Sequence, residues 1–269
     1  MKKGISYWAY SGKNYREAFE YAKSKGFDGV EVTLDISGEL TMETTDEKVL
    51  EIKSCAEDAG VSLYSVATGL YWSFPLTSND EKIRQKAKEI FRRQLEIAKL
   101  LGCDSILVVP ALVDEETPYD TAYARALEVL RELSADAERN GVVIGVENVW
   151  NKFLLSPLEY RNFIDEIDSP YVKAYFDVGN VVYDGYPEQW IKILGGRICK
   201  IHIKDYVRDN RTLAGFVDIG AGDVKFDKVF SALESVGYNG FCTAEVFPKN
   251  DSAYETVDKA ADSYNKIFI

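Results

Sequence analysis

The chain has 269 residues, of which 44 are acidic and 32 are Lys or Arg, giving a formal net charge of −12. This acidic balance argues against a nucleic-acid partner, because binding to a phosphate backbone depends on clustered Lys and Arg. No apolar run approaches the ~20 residues of a membrane-spanning helix or the pattern of a secretory signal, so we expect no membrane partner and a cytoplasmic location.

Eight short runs rich in β-branched and apolar residues recur along the chain, each with the length and composition of a β-strand. In chain order they are GISYWAY from Gly4, GVEVTL from Gly29, VSLYSVAT from Val61, SILVVP from Ser105, VVIGVEN from Val142, VKAYFDVGN from Val172, ICKIHIKD from Ile198 and GFCTAEV from Gly240. Helical patterns lie between them, for example NYREAFEYAKSKG and DEKVLEIKSCAEDAG, each opened by a capping residue and closed by glycine.

The repeated alternation of strand and helix predicts a parallel sheet, because each helix must pack back onto the sheet through a right-handed connection. Eight units in about 250 residues favour an α/β fold of the closed (β/α)8 TIM barrel type over an open doubly wound sheet. The first strand-to-helix turn also lacks the Gly-x-Gly-x-x-Gly pattern of dinucleotide-binding folds. No linker divides the chain, and we expect one barrel domain over residues 1–269.

Four of the predicted strands carry a polar residue near their end. Glu147 and Asp177 end the fifth and sixth strands, the seventh carries His202, the only histidine, and the eighth carries Glu245. Strands of such a barrel are covered on both sides, so a polar residue at a strand end indicates a role at the carboxyl-terminal mouth. Alternation places His202 on the face opposite to its apolar neighbours, and we predict that this face points into the barrel.

Three carboxylates and one imidazole that converge at the mouth would raise each other's pKa unless a cation lies among them. Oxygen ligands with a single nitrogen suit one divalent metal ion, with Mn²⁺ favoured and Zn²⁺, Co²⁺ or Mg²⁺ as alternatives. The competing interpretation is a hydrogen-bonded structural histidine beside carboxylates that act as caps or ion-pair partners. Four polar residues in consecutive strands favour the metal site.

These residues lie in four stretches, GVENVWNKFLLSP, AYFDVGN, KIHIKDY and CTAEV, that resemble the metal-ligand motifs of the xylose isomerase-like TIM-barrel superfamily of sugar and sugar-phosphate isomerases and epimerases. The resemblance covers essentially the whole chain. It is strongest for ketose 3-epimerases, including those acting on L-xylulose or L-ribulose 5-phosphate and their D-tagatose and D-psicose relatives. It implies that Glu147, Asp177, His202 and Glu245 bind one ion, and that the two glutamates form the acid/base pair.

The resemblance also implies contacts to a substrate. Arg208 falls where these epimerases hold a substrate-contacting arginine, although a solvated loop arginine is the competing interpretation. Asn180 stands where free-ketose epimerases usually have a histidine, which disfavours a free ketohexose but still allows a hydrogen bond to a hydroxyl. Lys204, like Arg208, is predicted to add positive charge near an oxyanion or a phosphate.

Three further features bear on the substrate. Gly220 and Gly222 precede a predicted helix, where barrels bind phosphate on backbone amides, unless they simply form a helix-entry turn. With Asn180 and Arg208, they favour a phosphorylated ketopentose. Glu31 is predicted to hydrogen-bond the substrate or to pair with a lysine. Aromatic residues near strand ends are candidates for the walls of a sugar pocket, or for ordinary packing: Tyr7, Trp8, Tyr71, Trp72 and Trp150.

The sequence leaves three classes of function open. A metal-dependent epimerase or isomerase of a small-molecule sugar or sugar phosphate is favoured. A lyase of the inosose or dehydroshikimate dehydratase type would begin with the same proton abstraction, and a non-catalytic sugar-binding barrel would not need both glutamates. The assembly also stays open, with a homodimer or homotetramer as alternatives.

Overall fold

The computed structural model describes residues 1–248 and 252–268, and it contains the predicted closed barrel of eight parallel strands. In chain order these strands are β1 (Lys2–Ser6), β2 (Gly29–Leu34), β3 (Ser62–Thr68), β4 (Ser105–Val108), β5 (Val143–Glu147), β6 (Val172–Asp177), β7 (Ile198–Ile203) and β10 (Phe241–Ala244). Their hydrogen-bonded order is β1-β10-β7-β6-β5-β4-β3-β2, so the first strand closes onto the last. The α/β TIM barrel predicted from the sequence is confirmed.

Helices follow the barrel strands as the alternating pattern predicts. They are α1 (Tyr15–Ser24), α2 (Asp46–Ala59), α3 (Leu70–Ser73), α4 (Glu81–Leu101), α5 (Tyr119–Asn140), α6 (Pro157–Ile167), α7 (Pro187–Leu194), α8 (Phe226–Ser235) and α9 (Ala253–Ile267). The Thr45 and Asp80 side chains cap α2 and α4 by accepting backbone N–H groups, and Gly60 and Gly102 end the same helices at φ values of 71° and 80°. Capping residues and glycines therefore set these boundaries.

A small antiparallel ribbon interrupts the alternation after β7. It consists of β8 (Asp205–Tyr206) and β9 (Phe216–Val217), in which Asp205 pairs with Val217 and Tyr206 with Phe216. Within the described ranges, no helix is long and apolar enough to cross a bilayer.

The first and last predicted strands are shorter than expected. β1 ends at Ser6, and Tyr7–Tyr10 forms a 3-10 turn instead of strand. The Tyr7 hydroxyl donates to the Lys13 carbonyl at 2.5 Å, which holds the chain in this turn. β10 ends at Ala244, so Glu245 is the first residue beyond the strand. Both corrections concern residues at the mouth, where local contacts outweigh strand propensity.

Candidate metal centre

The four predicted metal ligands lie together at the mouth of the barrel. Glu147 and Asp177 end β5 and β6, His202 precedes the last residue of β7, and Glu245 follows β10. All four side chains are buried, and one potential ligand atom from each lies within 4.8 Å of the others. The parallel register places Asp177 directly beside His202, so neighbouring strand ends assemble the cluster.

His202 contacts all three carboxylates of the cluster through one ring nitrogen. Its Nδ1 is 2.7 Å from Glu245 Oε2, 3.0 Å from Glu147 Oε1 and 3.9 Å from Asp177 Oδ2. Burial lowers the pKa of His202, but the charges of Glu31 and Glu245 outweigh burial and raise it well above its usual value. The site therefore strongly favours positive charge at this position.

Lys204 brings a second positive charge to the same carboxylates. Its Nζ is 3.0 Å from Asp177 Oδ2 and 2.7 Å from Glu245 Oε2. These two oxygens are nevertheless buried without a hydrogen bond of acceptable geometry. The candidate ligand atoms of the four residues lie within 4.8 Å of one another. Atoms that bind one ion at about 2.0–2.2 Å have a similar spacing. The unsatisfied oxygens and the donor set of three carboxylates and one imidazole therefore fit a divalent cation.

The two glutamates of the cluster differ in their titration. Burial raises the pKa of Glu147 to about 7. Burial acts in the same direction on Glu245, but the charges of Lys204 and His202 outweigh it and lower the pKa of Glu245 below its usual range. Without a bound ion, the two carboxyls therefore differ in their affinity for a proton.

Glu31, predicted to contact the substrate, lies fully buried on β2. Its Oε1 is 3.0 Å from His202 Nε2, and its Oε2 accepts a hydrogen bond from the Tyr175 hydroxyl. Neither a lysine partner nor a position facing the cavity is found for this carboxylate among the described residues. The geometry favours a role in holding His202 over direct contact with a substrate.

Asn180 does reach the mouth, where it belongs to a small network of amide groups. Its Nδ2 donates to the Asn148 carbonyl at 2.9 Å, and its own carbonyl accepts from Trp150 Nε1 at 2.8 Å. The Asn148 side chain in turn accepts from the Asp177 backbone N–H and donates to the Asp177 carbonyl, both at 2.9 Å. These bonds fix the backbone that carries Asp177.

Arg208 is not brought to the carboxylates. It lies in the 3-10 turn Arg208–Asn210, its guanidinium donates to the Gly185 carbonyl at 2.9 Å, and it lies 4.8 Å from the centre of the Tyr186 ring. Arg208 is not among the residues that line the cavity beside the candidate metal ligands. The substrate contact implied by the resemblance stays a prediction, because here the arginine supports a neighbouring loop.

The glycine turn expected to bind phosphate already holds an anion of the protein itself. Asp205 Oδ2 accepts the backbone N–H groups of Gly220 and Gly222, both at 2.8 Å. Its Oδ1 accepts those of Tyr206 at 2.8 Å and Val224 at 3.1 Å. The phosphate interpretation of this turn is therefore wrong: the amides that would bind the ligand are taken by a carboxylate that the sequence analysis did not single out.

A cavity of about 740 Å³ opens at the cluster, and Glu147, Lys204 and Glu245 form part of its lining. Aromatic side chains make up much of its wall: Trp8, Trp72, Trp150, Phe216 and Phe247. Three of these five were predicted. Tyr7 and Tyr71 do not line the cavity, because their hydroxyls donate to the Lys13 carbonyl and to Gln94 inside the fold.

The sequence analysis missed residues that complete the site. Asn148 follows Glu147 directly, and an amide next to a predicted ligand is the signal that could have identified it. Tyr175 lies two residues before Asp177, on the same face of β6 by alternation. Phe216 and Phe247 gave no such signal, since β9 and the turn after β10 approach the mouth only through the tertiary fold.

Fold and site together define a family. The model of the family described as xylose isomerase-like TIM barrel matches residues 19–265, and the chain belongs to this family.

One sequence relative and two solved structures illustrate what the chain resembles. The chain is 26% identical over 259 residues to L-ribulose-5-phosphate 3-epimerase UlaE of Salmonella paratyphi A, covering 94% of this chain and 89% of the relative. A solved L-ribulose 3-epimerase superposes with a TM-score of 0.82 at 18% identity, covering 99% of this chain and 94% of the other. The IOLI protein, solved with a bound zinc atom, gives 0.83 at 20% identity, covering 99% and 98%. At these identities the two structures support the fold.

Proposed function

We propose that the protein is a metal-dependent 3-epimerase of a sugar or sugar phosphate. The observation that carries the proposal is the pair Glu147 and Glu245, which share one candidate metal centre and both line the cavity at the mouth of the barrel. The sequence relatives support it, because the UlaE protein is named as an L-ribulose-5-phosphate 3-epimerase. Glu147, Asp177, His202 and Glu245 would hold the ion, for which we favour Mn²⁺.

Epimerisation beside a ketone requires that a proton be taken from carbon and returned on the opposite face. A bound divalent ion supplies Lewis-acid stabilisation of the charge that develops on the ketone oxygen. Glu147 and Glu245 would lie on opposite faces of the ketose, where one removes the proton from carbon and the other returns a proton to the opposite face. Lys204 adds positive charge beside them, and the roles of the glutamates reverse in the opposite direction.

Proton exchange with solvent tests this function directly. The protein loaded with Mn²⁺ is incubated in D₂O with a panel of ketoses and ketose phosphates, and the products are followed by NMR. An epimerase incorporates deuterium at the carbon beside the ketone and inverts it. Formation of an unsaturated product would identify the lyase alternative, and binding without any exchange would identify a non-catalytic sugar-binding barrel.

A further inference from the structure

The cavity at the metal centre is large for a single monosaccharide. Its volume is about 740 Å³. With about 30 Å³ for each liquid water molecule, this space corresponds to roughly 25 waters, about twice the number of non-hydrogen atoms in a hexose. A substrate that fills the cavity therefore has a second part beyond the ring that carries the ketone.

The outer part of the cavity is apolar and exposed. Trp72, Leu213 and Phe247 line it although their exposed fractions are 45%, 73% and 49%. Phe247 also stacks with Trp8, with ring centroids 5.6 Å apart. Exposed apolar side chains gathered at a concave site mark ligand binding, and flat aromatic faces suit a ring.

The charges of the lining disfavour a phosphate. Among the described residues, the cations that line the cavity are Lys204 and Lys259, and each lies within 4.0 Å of a carboxylate. Four carboxylates line the same cavity: Glu147, Asp205, Asp218 and Glu245. A divalent ion on Glu147 and Glu245 would offset their charges, but Asp205 and Asp218 would still disfavour a phosphate ester, whose charge is about −1.5 to −2 at neutral pH.

We propose that the substrate is an uncharged keto-sugar linked to a second ring, either another sugar or an aromatic group. The ketone-bearing ring lies at Glu147 and Glu245, and the second ring packs against Trp72 and Phe247. This inference rests on the proposed function, since that function places the ketone at the two glutamates. It differs from the terminal phosphate named for the UlaE relatives.

Three probes built on one ketose separate the alternatives: D-fructose, its 6-phosphate and its 6-O-phenyl ether. Binding to the Mn²⁺-loaded protein is measured by calorimetry, with deuterium exchange at carbon 3 in D₂O measured in parallel. We expect the phenyl ether to bind at least tenfold more tightly than the free sugar, and the phosphate to bind no more tightly than the free sugar. Trp72→Ala should weaken binding of the phenyl ether by about tenfold, and binding of the free sugar by less.

Leu158→Ala is the matched control, because this residue is 52% exposed on α6 and lies outside the cavity lining. It should leave all three affinities unchanged. Tightest binding of the 6-phosphate, or an equal effect of Trp72→Ala on the free sugar and the phenyl ether, would overturn the inference. Absence of exchange with every probe would count against the proposed function, while the order of the three affinities still decides this inference.

A second inference concerns Nε2, the ring nitrogen of His202 that faces away from the three carboxylates of the cluster. Nε2 faces Glu31 Oε1 at 3.0 Å, and the second oxygen of Glu31 accepts from Tyr175. A carboxylate only accepts hydrogen bonds, so Nε2 must carry a hydrogen. The lone pair available for a metal is then on Nδ1, the nitrogen that faces Glu147 and Glu245.

We infer that Glu31 is a positioning residue that sets the tautomer and ring orientation of His202, and that Tyr175 holds Glu31 in place. Glu31→Ala should lower Mn²⁺ affinity by about 10–100-fold, measured by competition with a chelating dye. Glu31→Gln should lose less, because the amide oxygen can still accept from Nε2, and Tyr175→Phe should lose least.

Two readouts separate this role from general destabilisation. The visible absorption of the Co²⁺-loaded protein reports ligand geometry, and thermal unfolding without metal reports the fold. A changed Co²⁺ spectrum in Glu31→Gln with unchanged unfolding is the expected result. If Glu31→Ala does not fold, Glu31→Gln decides alone: wild-type Mn²⁺ affinity and an unchanged Co²⁺ spectrum in that variant would reject the inference.

Discussion

A lysine lies near each end of β7, and the carboxylates that pair with the two lysines differ in their exposure to water. Lys200 and Lys204 lie on the side of the strand that also carries His202. Lys200 Nζ lies 2.6 Å from Asp104, whose side chain is 71% exposed. Lys204 Nζ lies between Asp177 and Glu245, whose side chains are 0% and 6% exposed. Both lysine side chains are mostly buried, at 6% and 16% exposed, but Lys200 pairs with an exposed carboxylate and Lys204 with two buried ones.

The position of a lysine along the strand therefore decides which carboxylates it contacts. At the amino-terminal end of β7, a single aspartate before β4 approaches from solvent. At the mouth, β5 and β6 end in a carboxylate and Glu245 follows β10, and burial of these groups strengthens their attraction for a cation. Variants at the mouth should therefore change chemistry, whereas variants at the amino-terminal end should change stability slightly.

The largest effect is expected from Glu147→Gln and Glu245→Gln. Glutamine keeps an oxygen that can bind metal but cannot take a proton, so turnover should fall by about 10²–10⁴-fold while metal is retained with lower affinity. Steady-state rates and metal content measure the two effects. In each variant, the remaining glutamate should still exchange the substrate proton that faces it with deuterium from D₂O. Exchange should therefore occur on one epimer in Glu147→Gln and on the other epimer in Glu245→Gln. Near-normal turnover in either variant would rule out the two-face mechanism.

His202→Ala should remove the metal. The centre loses its only nitrogen donor, and the remaining carboxylates of Glu147, Asp177 and Glu245 are left without the ligand that contacts all three. We expect about one Mn²⁺ per chain in the parent protein and a loss of stoichiometric binding in the variant, measured by elemental analysis after dialysis. Unchanged stoichiometry would show that the ion binds elsewhere.

Gly222→Ala tests the turn held by Asp205 near the mouth. An added Cβ would lie 2.3 Å from Asp205 Oδ1 and 2.8 Å from the Tyr206 nitrogen, so the carboxylate must move from its amide partners. We expect a loss of about 1–3 kcal/mol in the free energy of unfolding, measured with urea. Gly196→Ala is the control, since its Cβ would meet no atom within 4 Å. Equal stabilities of the two variants would contradict the packing described here.

Lys200→Met should have the smallest effect. The Lys200 side chain is 6% exposed, but its partner Asp104 is 71% exposed and methionine keeps the apolar stem, so the free energy of unfolding should fall by about 1 kcal/mol, with turnover unchanged. The same substitution at Lys204 should lower turnover, because Asp177 and Glu245 lose a buried positive partner. Urea titration and rate measurements on both variants provide the check, and similar turnover in the two would remove the contrast between the ends of β7.

The fold could be predicted because its signal is periodic and repeated. Eight apolar runs and the helices between them specify a parallel barrel, and local capping residues specify where most helices begin. Strand ends at the mouth were less predictable: Tyr7–Tyr10 has strand-like residue types, yet side-chain contacts bend it into a turn. Propensity describes a residue's own preference and carries no information about such contacts.

The convergence of the four predicted ligands followed from a simple geometric rule, since parallel strand ends meet at one mouth. Partners across the barrel were not accessible in this way. Glu31 is far from His202 in the chain, and only barrel closure reveals that it occupies Nε2. Gly220 and Gly222 illustrate the opposite error: their pattern does indicate anion binding, but the anion is Asp205.

The pairing of β1 with β10 also affects how the barrel folds. Lys2 to Ile5 are aligned with Phe241 to Ala244, so closure joins two strands that are far apart in the chain. Such long-range pairing is slow, because the entropy of the intervening chain is lost before the contact forms. Glu245 directly follows β10, so the four candidate ligands come together only when this closing strand is in place.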